Sequence, residues 1–295
     1  MSHHLETEAP PGRERALVLG GGGAAGNAWE IGVIAGLFDA GLDVTDADLI
    51  VGTSAGSTVA AQITGTTRPP ELLAAILTEP RPAASSPPST ERAAGADYMQ
   101  KTAAVMAGAV DPADMRRRLG EAALGGMDET SRARWRDTVA SRFPARHWPQ
   151  RRVIIVSVDA DTGEPVLLDR DSGVDLVDAV AASSAHGYRV GDRTFINGGY
   201  RRNENADLAA GYQRVLVLSP FSGQTRHPLD WGMQLAAQVD ELRAGGSRVE
   251  TVFPDSDVHD LFDAHALDPS TRLPAARAGY EQGRALAQQL TALWR

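Results

Sequence analysis

Short, strongly apolar runs alternate along the chain with longer stretches that have helical spacing. The apolar runs have the length of buried strands, and they cover residues 16–19, 49–51, 153–158 and 215–218. Apolar residues at helical spacing follow the first run up to Gly41 and return near the end of the chain, over residues 273–293. Strands that alternate with helices predict an α/β fold with a largely parallel central sheet.

Other stretches modify this pattern. Residues 166–168 follow the third run after an acidic, Gly-containing turn, which predicts an antiparallel hairpin. Residues 231–243 are predicted to be helical. Residues 66–98 are rich in Pro, Ser and Ala, and helical patterns follow at 111–119 and 129–143. We therefore expect a mostly helical insertion or lid at 66–148 within a single domain, 14–295, preceded by a disordered arm at 1–13.

Composition narrows the classes of function. The chain has 295 residues, a net charge of −9 and no Cys. The negative charge argues against nucleic acid as a partner and predicts at most peripheral membrane contact. Without Cys, disulfides and thiolate chemistry are excluded. The first residues lack an apolar signal segment and no run has the length of a membrane span, so we expect a cytoplasmic protein.

A G-x-S-x-G motif carries the most specific chemistry. Residues 52–56 read Gly-Thr-Ser-Ala-Gly, after an apolar run and before a helix-compatible stretch. Strand, sharp turn and helix are the context in which this motif presents a serine hydroxyl to an acyl carbonyl. Ser54 is therefore the candidate nucleophile, and Gly52 and Gly56 support the turn.

A glycine-rich loop follows the first predicted strand and opens the first predicted helix. Gly21, Gly23 and Gly26 form a G-x-G-x-x-G pattern, which in one interpretation binds a dinucleotide. The acidic residues at 43–48 precede the second strand, however, whereas a dinucleotide site needs an acid at a strand end. In the other interpretation the unobstructed N–H groups of the loop form an oxyanion hole. The Ser54 motif favours this second interpretation.

The residue order does not predict a histidine triad. Only one strand precedes the strand of the serine motif, unlike the order of α/β-hydrolases. Three late histidines, His227, His259 and His265, do not follow clear strand ends. We expect each to be a core or surface residue.

Taken together, these motifs resemble the patatin-like phospholipases. The resemblance extends over about residues 15–220 and rests on segments in a fixed order: 21–26, 52–56, 174–184, 197–199 and 205–208. It implies a three-layer α/β/α sandwich and hydrolysis of lipid or other acyl esters by a Ser–Asp dyad, without metal or cofactor. In this resemblance Ser54 is the nucleophile, Gly21, Gly22 and Gly23 form the oxyanion hole, and Gly198 and Gly199 follow the dyad position.

Two positions depart from the family pattern. The dyad Asp is replaced by Asn197, and Ala25 stands where the family usually has a cation. A carboxamide can hydrogen-bond a hydroxyl but cannot hold its proton near neutral pH, and losing a general base costs about 10²–10⁴-fold in rate. Asn197 is compatible with a natural replacement, an engineered inactivation or deamidation at an Asn-Gly pair.

The sequence thus predicts a slowed serine acyl hydrolase and leaves two alternatives open. One is a non-catalytic protein that binds lipids or other acyl ligands, and the other is an acyltransferase or cyclase on the same scaffold. His186 lies in a predicted loop that should be close to the dyad, where it is a candidate auxiliary base or substrate contact. In the alternative interpretation His186 is a solvated loop residue.

Overall fold

A computed structural model describes residues 14–80, 100–263 and 265–295. Within them, the strands are β1 (Arg15–Leu19), β2 (Leu49–Thr53), β3 (Arg152–Asp159), β4 (Pro165–Leu168), β5 (His186–Val190), β6 (Arg193–Asn197), β7 (Arg214–Leu218) and β8 (Arg248–Val252). The helices are α1 (Gly23–Asp39), α2 (Ala55–Ile63), α3 (Pro69–Leu77), α4 (100–108), α5 (Pro112–Ala123), α6 (Glu129–Ser141), α7 (Leu176–Ser184), α8 (Leu235–Ala244) and α9 (Arg272–Trp294). The predicted arm at 1–13 and residues 81–99 of the Pro-rich stretch lie outside the described residues.

The strands of the described residues form one mixed sheet, in which hydrogen bonds link β5, β6, β3, β2, β1, β7 and β8 in turn, and β4 also pairs with β3. The five strands from β3 to β8 in that order are parallel, whereas β4 and β6 are antiparallel to β3. The prediction of an α/β fold with a largely parallel sheet is therefore confirmed, as is the hairpin of β3 and β4.

Helices cover both faces of the sheet. Alternate residues of a strand point to opposite faces, and in β1 both sets are buried. Leu17 and Leu19 of β1 belong to a buried cluster shared with α1, α2, α7 and α9. Ala16 and Val18 belong to a second buried cluster, which includes residues of α8. The sheet is thus the middle layer of three.

Helices α1 and α9 pack in direct backbone contact. A Cβ on Gly32 would lie 2.3 Å from the carbonyl oxygen of Ala276, and a Cβ on Gly279 would lie 2.3 Å from that of Trp29. The contact is mutual because each helix presents glycines to the other. It holds α1, and with it the glycine-rich loop at its amino terminus, on one face of the sheet.

Helices occupy most of the described part of the predicted insertion, 66–148, namely α3 to α6. Its role as a lid stays a prediction. Within the described residues, none of the helices combines the length and the apolar character needed to cross a membrane.

Two boundaries differ from the predicted ones. The helix predicted at 231–243 is a 3₁₀ turn, Leu229–Trp231, followed by α8, because Gly232 takes a left-handed conformation (φ 64°) that interrupts the helix. His186 does not lie in a loop but begins the edge strand β5. There it pairs with Ile196 of β6, and a register shift separates it from Tyr188.

Candidate active site

Ser54 is held in a strained turn between β2 and α2. Its backbone angles are φ 53° and ψ −114°, a region that a residue with a side chain rarely adopts. Such a conformation costs on the order of 1–3 kcal/mol and persists only where the surrounding structure enforces it. The turn places the hydroxyl at the amino terminus of α2, whose dipole favours negative charge.

The two glycines of the motif allow the turn to close. A Cβ on Gly52 would lie 2.8 Å from the carbonyl oxygen of Gly56, and a Cβ on Gly56 would lie 2.2 Å from that of Leu19. The N–H of Gly56 donates to the oxygen of Gly20 over 3.1 Å. The glycines thus let α2 approach both its own strand and the glycine-rich loop.

Strand pairing explains why Ser54 and Asn197 meet. Parallel pairing places Thr53 opposite Val156 of β3, and antiparallel pairing places Asn197 opposite Ser157. β4 pairs with residues 155–158 of β3 and so occupies one edge of that strand. β2 and β6 pair with residues 152–156 and 157–159, so they must lie end to end along the other edge, and they run towards each other. Their carboxyl ends therefore meet, although the two side chains are 143 positions apart in the sequence.

Two hydrogen bonds orient the Asn197 carboxamide. Its Oδ1 accepts from the N–H of Gly199 (2.8 Å), and its Nδ2 donates to Ser54 Oγ (3.1 Å). A backbone N–H can only donate, so the oxygen must face Gly199 and the NH₂ must face the serine. Asn197 therefore donates to the hydroxyl, which is opposite to the polarity that removes a proton from it.

The backbone of Ser54 is clamped by the carboxyl end of α7. Its N–H donates to Ser183 Oγ (3.0 Å), and Ser183 donates in turn to the carbonyl of Val156 (2.6 Å). Ser184 donates to the carbonyl oxygen of Ser54 over 3.1 Å. Sequence reasoning included this helix in the family resemblance but assigned no role to the two serines. The only signal was a pair of small hydroxyl residues at a predicted helix end.

The N–H groups of the glycine-rich loop are not used alike. The N–H of Gly21 donates to the carbonyl oxygen of Asn203 over 3.2 Å and is therefore occupied. Within the described residues, the N–H groups of Gly22 and Gly23 have no acceptor. The oxyanion hole stays a prediction, and of its three glycines Gly22 and Gly23 have N–H groups without an acceptor among the described residues. Asn203 was missed because nothing in its local sequence distinguishes it from a surface asparagine.

A cavity of about 450 Å³ joins these groups. The predicted site residues on its wall are Gly21, Gly22, Gly23, Ser54, His186, Asn197 and Gly199. Met106, Phe221 and Phe262 add apolar surface. Polar side chains, among them Asn203, Gln224 and Arg226, share the wall with this apolar surface, and the volume is that of a small-molecule or acyl-chain site.

His186 lies on the cavity wall with its ring 6.4 Å from that of Tyr200. The surrounding protein lowers the pKa of His186 by burial, although part of its side chain is exposed. The imidazole is therefore neutral near pH 7 and is a weaker base than a free histidine. Ser54 Oγ accepts its hydrogen bond from Asn197 Nδ2, so the structure does not assign His186 the role of the base.

Two of the three late histidines also line the cavity. His227 is 7% exposed and its Nδ1 lies 2.9 Å from Thr225 Oγ1. His259 also lies on the wall, within a 3₁₀ segment, and His265 is exposed. In the part of the chain that the structure describes, no three His, Cys, Asp or Glu side chains are arranged to hold a metal ion.

Comparisons with known proteins identify the family to which these motifs belong. A family model described as patatin-like phospholipase matches residues 17–210. No curated protein sequence matches the chain at a significant level.

The solved structures that are similar to the chain include ExoU and VipD. The type III effector protein ExoU has a TM-score of 0.44 and 16% identity, over 95% of this chain and 54% of its own. VipD from Legionella pneumophila has a TM-score of 0.42 and 13% identity, over 95% of this chain and 68% of its own. The chain thus spans about half the length of ExoU. Neither likeness is close enough to bear on the site.

Proposed function

Because the chain belongs to the patatin-like phospholipase family, whose members are lipid acyl hydrolases, we propose that it is a serine acyl hydrolase with Ser54 as its nucleophile. Its substrate is a lipid or another carboxylic ester. The observation that carries this proposal is the strained turn of Ser54, with Oγ 3.1 Å from Asn197 Nδ2 on the wall of an apolar cavity.

In the proposed reaction, Ser54 Oγ attacks the ester carbonyl, the C–O bond to the alcohol breaks, and an acyl-serine forms. The serine proton passes through solvent to the departing alcohol oxygen. The negative charge on the carbonyl oxygen is stabilised by the free N–H groups of Gly22 and Gly23 and by the α2 dipole. One such donor is worth about 10²–10³-fold in rate. Water, or another hydroxyl or amine, then resolves the acyl-serine, and this choice distinguishes a hydrolase from a transferase.

Asn197 is proposed to slow both steps. It occupies a lone pair of Ser54 Oγ and accepts no proton from it, so attack proceeds without a general base. A carboxylate at this position would keep the hydrogen bond from Gly199 on one oxygen and present its other oxygen to the serine. The Ser54–Asn197 geometry is therefore that of a dyad with one atom exchanged.

The test is Asn197→Asp, assayed on p-nitrophenyl butyrate and octanoate beside the unchanged chain. We expect kcat/KM to rise by about 10²-fold or more, because the new carboxylate acts as the base. Gln224→Glu is the matched control, since it adds a carboxylate to the same cavity wall at an exposed position. It should leave the rate unchanged. Equal rates for N197D and the unchanged chain would overturn the proposed dyad.

His186 is proposed as a substrate contact and not as the base, because its lowered pKa makes it a weak proton acceptor. In the unchanged chain, His186→Ala should then raise KM while kcat stays within about threefold. A loss of kcat as large as that of Ser54→Ala would instead identify His186 as the base.

The polarity of Asn197 favours a second candidate function, a non-catalytic protein that binds acyl ligands. Labelling with a fluorophosphonate, followed by intact mass, separates the two. An activated Ser54 reacts with one equivalent of the reagent and Ser54→Ala does not. If neither the unchanged chain nor N197D is labelled, Ser54 is not activated and the hydrolase proposal is wrong, which leaves the non-catalytic candidate.

A further inference from the structure

A buried acid lies next to the glycine-rich loop and plays no part in the proposed reaction. Glu204 is 1% exposed, and its Oε1 accepts from Asn203 Nδ2 (3.0 Å) and from Ser219 Oγ (2.7 Å). No ion pair to Glu204 is present among the described residues. Burying a carboxyl group that has no ion-pair partner costs free energy, and hydrogen bonds recover only part of it. This position therefore requires an explanation.

Asn203 connects Glu204 to the loop. Its Nδ2 also donates to the carbonyl oxygen of Gly21 (3.2 Å), and its own carbonyl oxygen accepts from the N–H of Gly21 (3.2 Å). Both backbone groups of Gly21 are thus held by one residue. The side chain of that residue is also hydrogen-bonded to the carboxyl group of Glu204.

The other side of the loop is set by the chain that follows β7. A Cβ on Gly22 would lie 2.5 Å from the side chain of Pro220, the residue after Ser219. Glu204 therefore joins, through Ser219 and Asn203, the two segments between which Gly21 and Gly22 are held. Gly22 and Gly23 follow Gly21 directly, so these contacts constrain the backbone that carries their N–H groups.

We propose that Glu204 is a positioning residue for the reaction, which acts through Asn203 to aim the N–H groups of Gly22 and Gly23 at the carbonyl oxygen of the substrate. The inference rests on the proposed function. It assigns the stabilisation of the oxyanion to a buried side chain that does not touch the substrate.

The chemical role of Glu204 is that of a hydrogen-bond acceptor. Burial raises the pKa of its carboxyl group, against the hydrogen bonds from Asn203 and Ser219, which lower it. Both hydrogen bonds end on Oε1, and a glutamine amide oxygen can accept the same two. Glutamine should therefore replace it, whereas leucine should not.

The experiment uses N197D as the parent and adds Glu204→Gln or Glu204→Leu. We expect E204L to lower kcat about 10–100-fold with KM within about threefold, since one oxyanion donor is worth about 10²–10³-fold. E204L should also weaken binding of a trifluoromethyl ketone, whose adduct carries an oxyanion, by a similar factor. E204Q should stay within about threefold of the parent in both measurements.

Ser247→Ala is the matched control, because it removes a buried hydrogen bond to the carbonyl of Tyr212 at the opposite end of the sheet. It should lower thermal stability without changing kcat. If E204L does not fold, Ser219→Ala removes one of the two donors to Glu204 and should lower kcat about 3–10-fold.

Three results would overturn the inference: a folded E204L with the kcat of the parent, E204Q as impaired as E204L, or an unchanged kcat in Ser219→Ala. An inactive N197D parent would overturn the proposed function itself, and this inference with it. The activity of the N197D parent therefore distinguishes failure of the proposed function from failure of this inference.

Discussion

At the scale of single residues, the backbone conformation of Ser54 lowers the stability of the fold while it presents the hydroxyl to the cavity. Its positive φ is enforced by the hydrogen bonds that its backbone makes with Ser183 and Ser184 of α7 and by the close approach that Gly52 and Gly56 allow. The strain lies in the backbone and not in the hydroxyl. Removing the hydroxyl alone should therefore leave the backbone strain unchanged.

We predict that Ser54→Gly is more stable than Ser54→Ala by about 1 kcal/mol, because glycine adopts φ 53° and ψ −114° without strain. Chemical unfolding of the two variants measures the difference, and neither variant should react with a fluorophosphonate. Equal stabilities would show that the surroundings do not strain this turn.

A second residue, His227, predicts a dependence of stability on pH. Burial, with Arg226 and Arg116 nearby, lowers the pKa of His227 to about 4, against an ordinary value of 6.5. Between these values the unfolded chain binds more protons than the folded one, so stability rises with pH across this window and is lost as pH falls.

We predict that this group contributes a loss on the order of 2 kcal/mol between pH 6.5 and pH 4. In His227→Gln the free energy of unfolding should fall less over that range than in the unchanged chain. His265→Gln, at an exposed histidine, is the control and should follow the unchanged chain. Parallel curves for all three proteins would contradict the assignment to His227.

At the scale of elements, glycines let helices α1 and α9 pack with their backbones in direct contact. Gly32 and Gly279 each face a backbone carbonyl that leaves no room for a Cβ. The pattern of apolar residues predicted both helices, yet α1 is buried almost all round, over residues 25–37. Its partner could not be identified from one amphipathic face.

We predict that Gly32→Ala or Gly279→Ala lowers the free energy of unfolding by about 2–3 kcal/mol, because the helices must separate to admit the methyl group. Gly125→Ala is the control, since a Cβ there meets no atom within 4 Å and the residue has no positive φ. It should be neutral or slightly stabilising. A tolerated alanine at both packed positions would mean that α1 and α9 can shift at little cost.

At the scale of the whole molecule, the net charge of −9 sets the long-range interaction with membranes. Like charges repel, and the repulsion is screened within about 10 Å at 0.1 M salt. We predict weaker cosedimentation with phosphatidylserine-containing vesicles than with phosphatidylcholine vesicles at 25 mM NaCl, and a smaller difference at 200 mM NaCl. Tighter binding to the anionic vesicles at low salt would reveal a local basic surface that overrides the net charge.

The sequence by itself was sufficient for the features that depend on a few neighbouring residues. The apolar runs predicted the parallel strands, and the glycines around Ser54 predicted a sharp turn, because each needs a particular residue type within a few positions. The α/β class and the family followed from the order of such segments. The roles of the site residues stay proposals.

Only the tertiary structure decided how distant segments meet. The meeting of β2 and β6 on one edge of β3 depends on strand register, which no local pattern encodes. The same holds for the donor direction of Asn197, which follows from Gly199, and for the use of the Gly21 N–H by Asn203. Hydrogen bonds across such separations depend on where the chain returns, and a sequence read locally contains no measure of that distance.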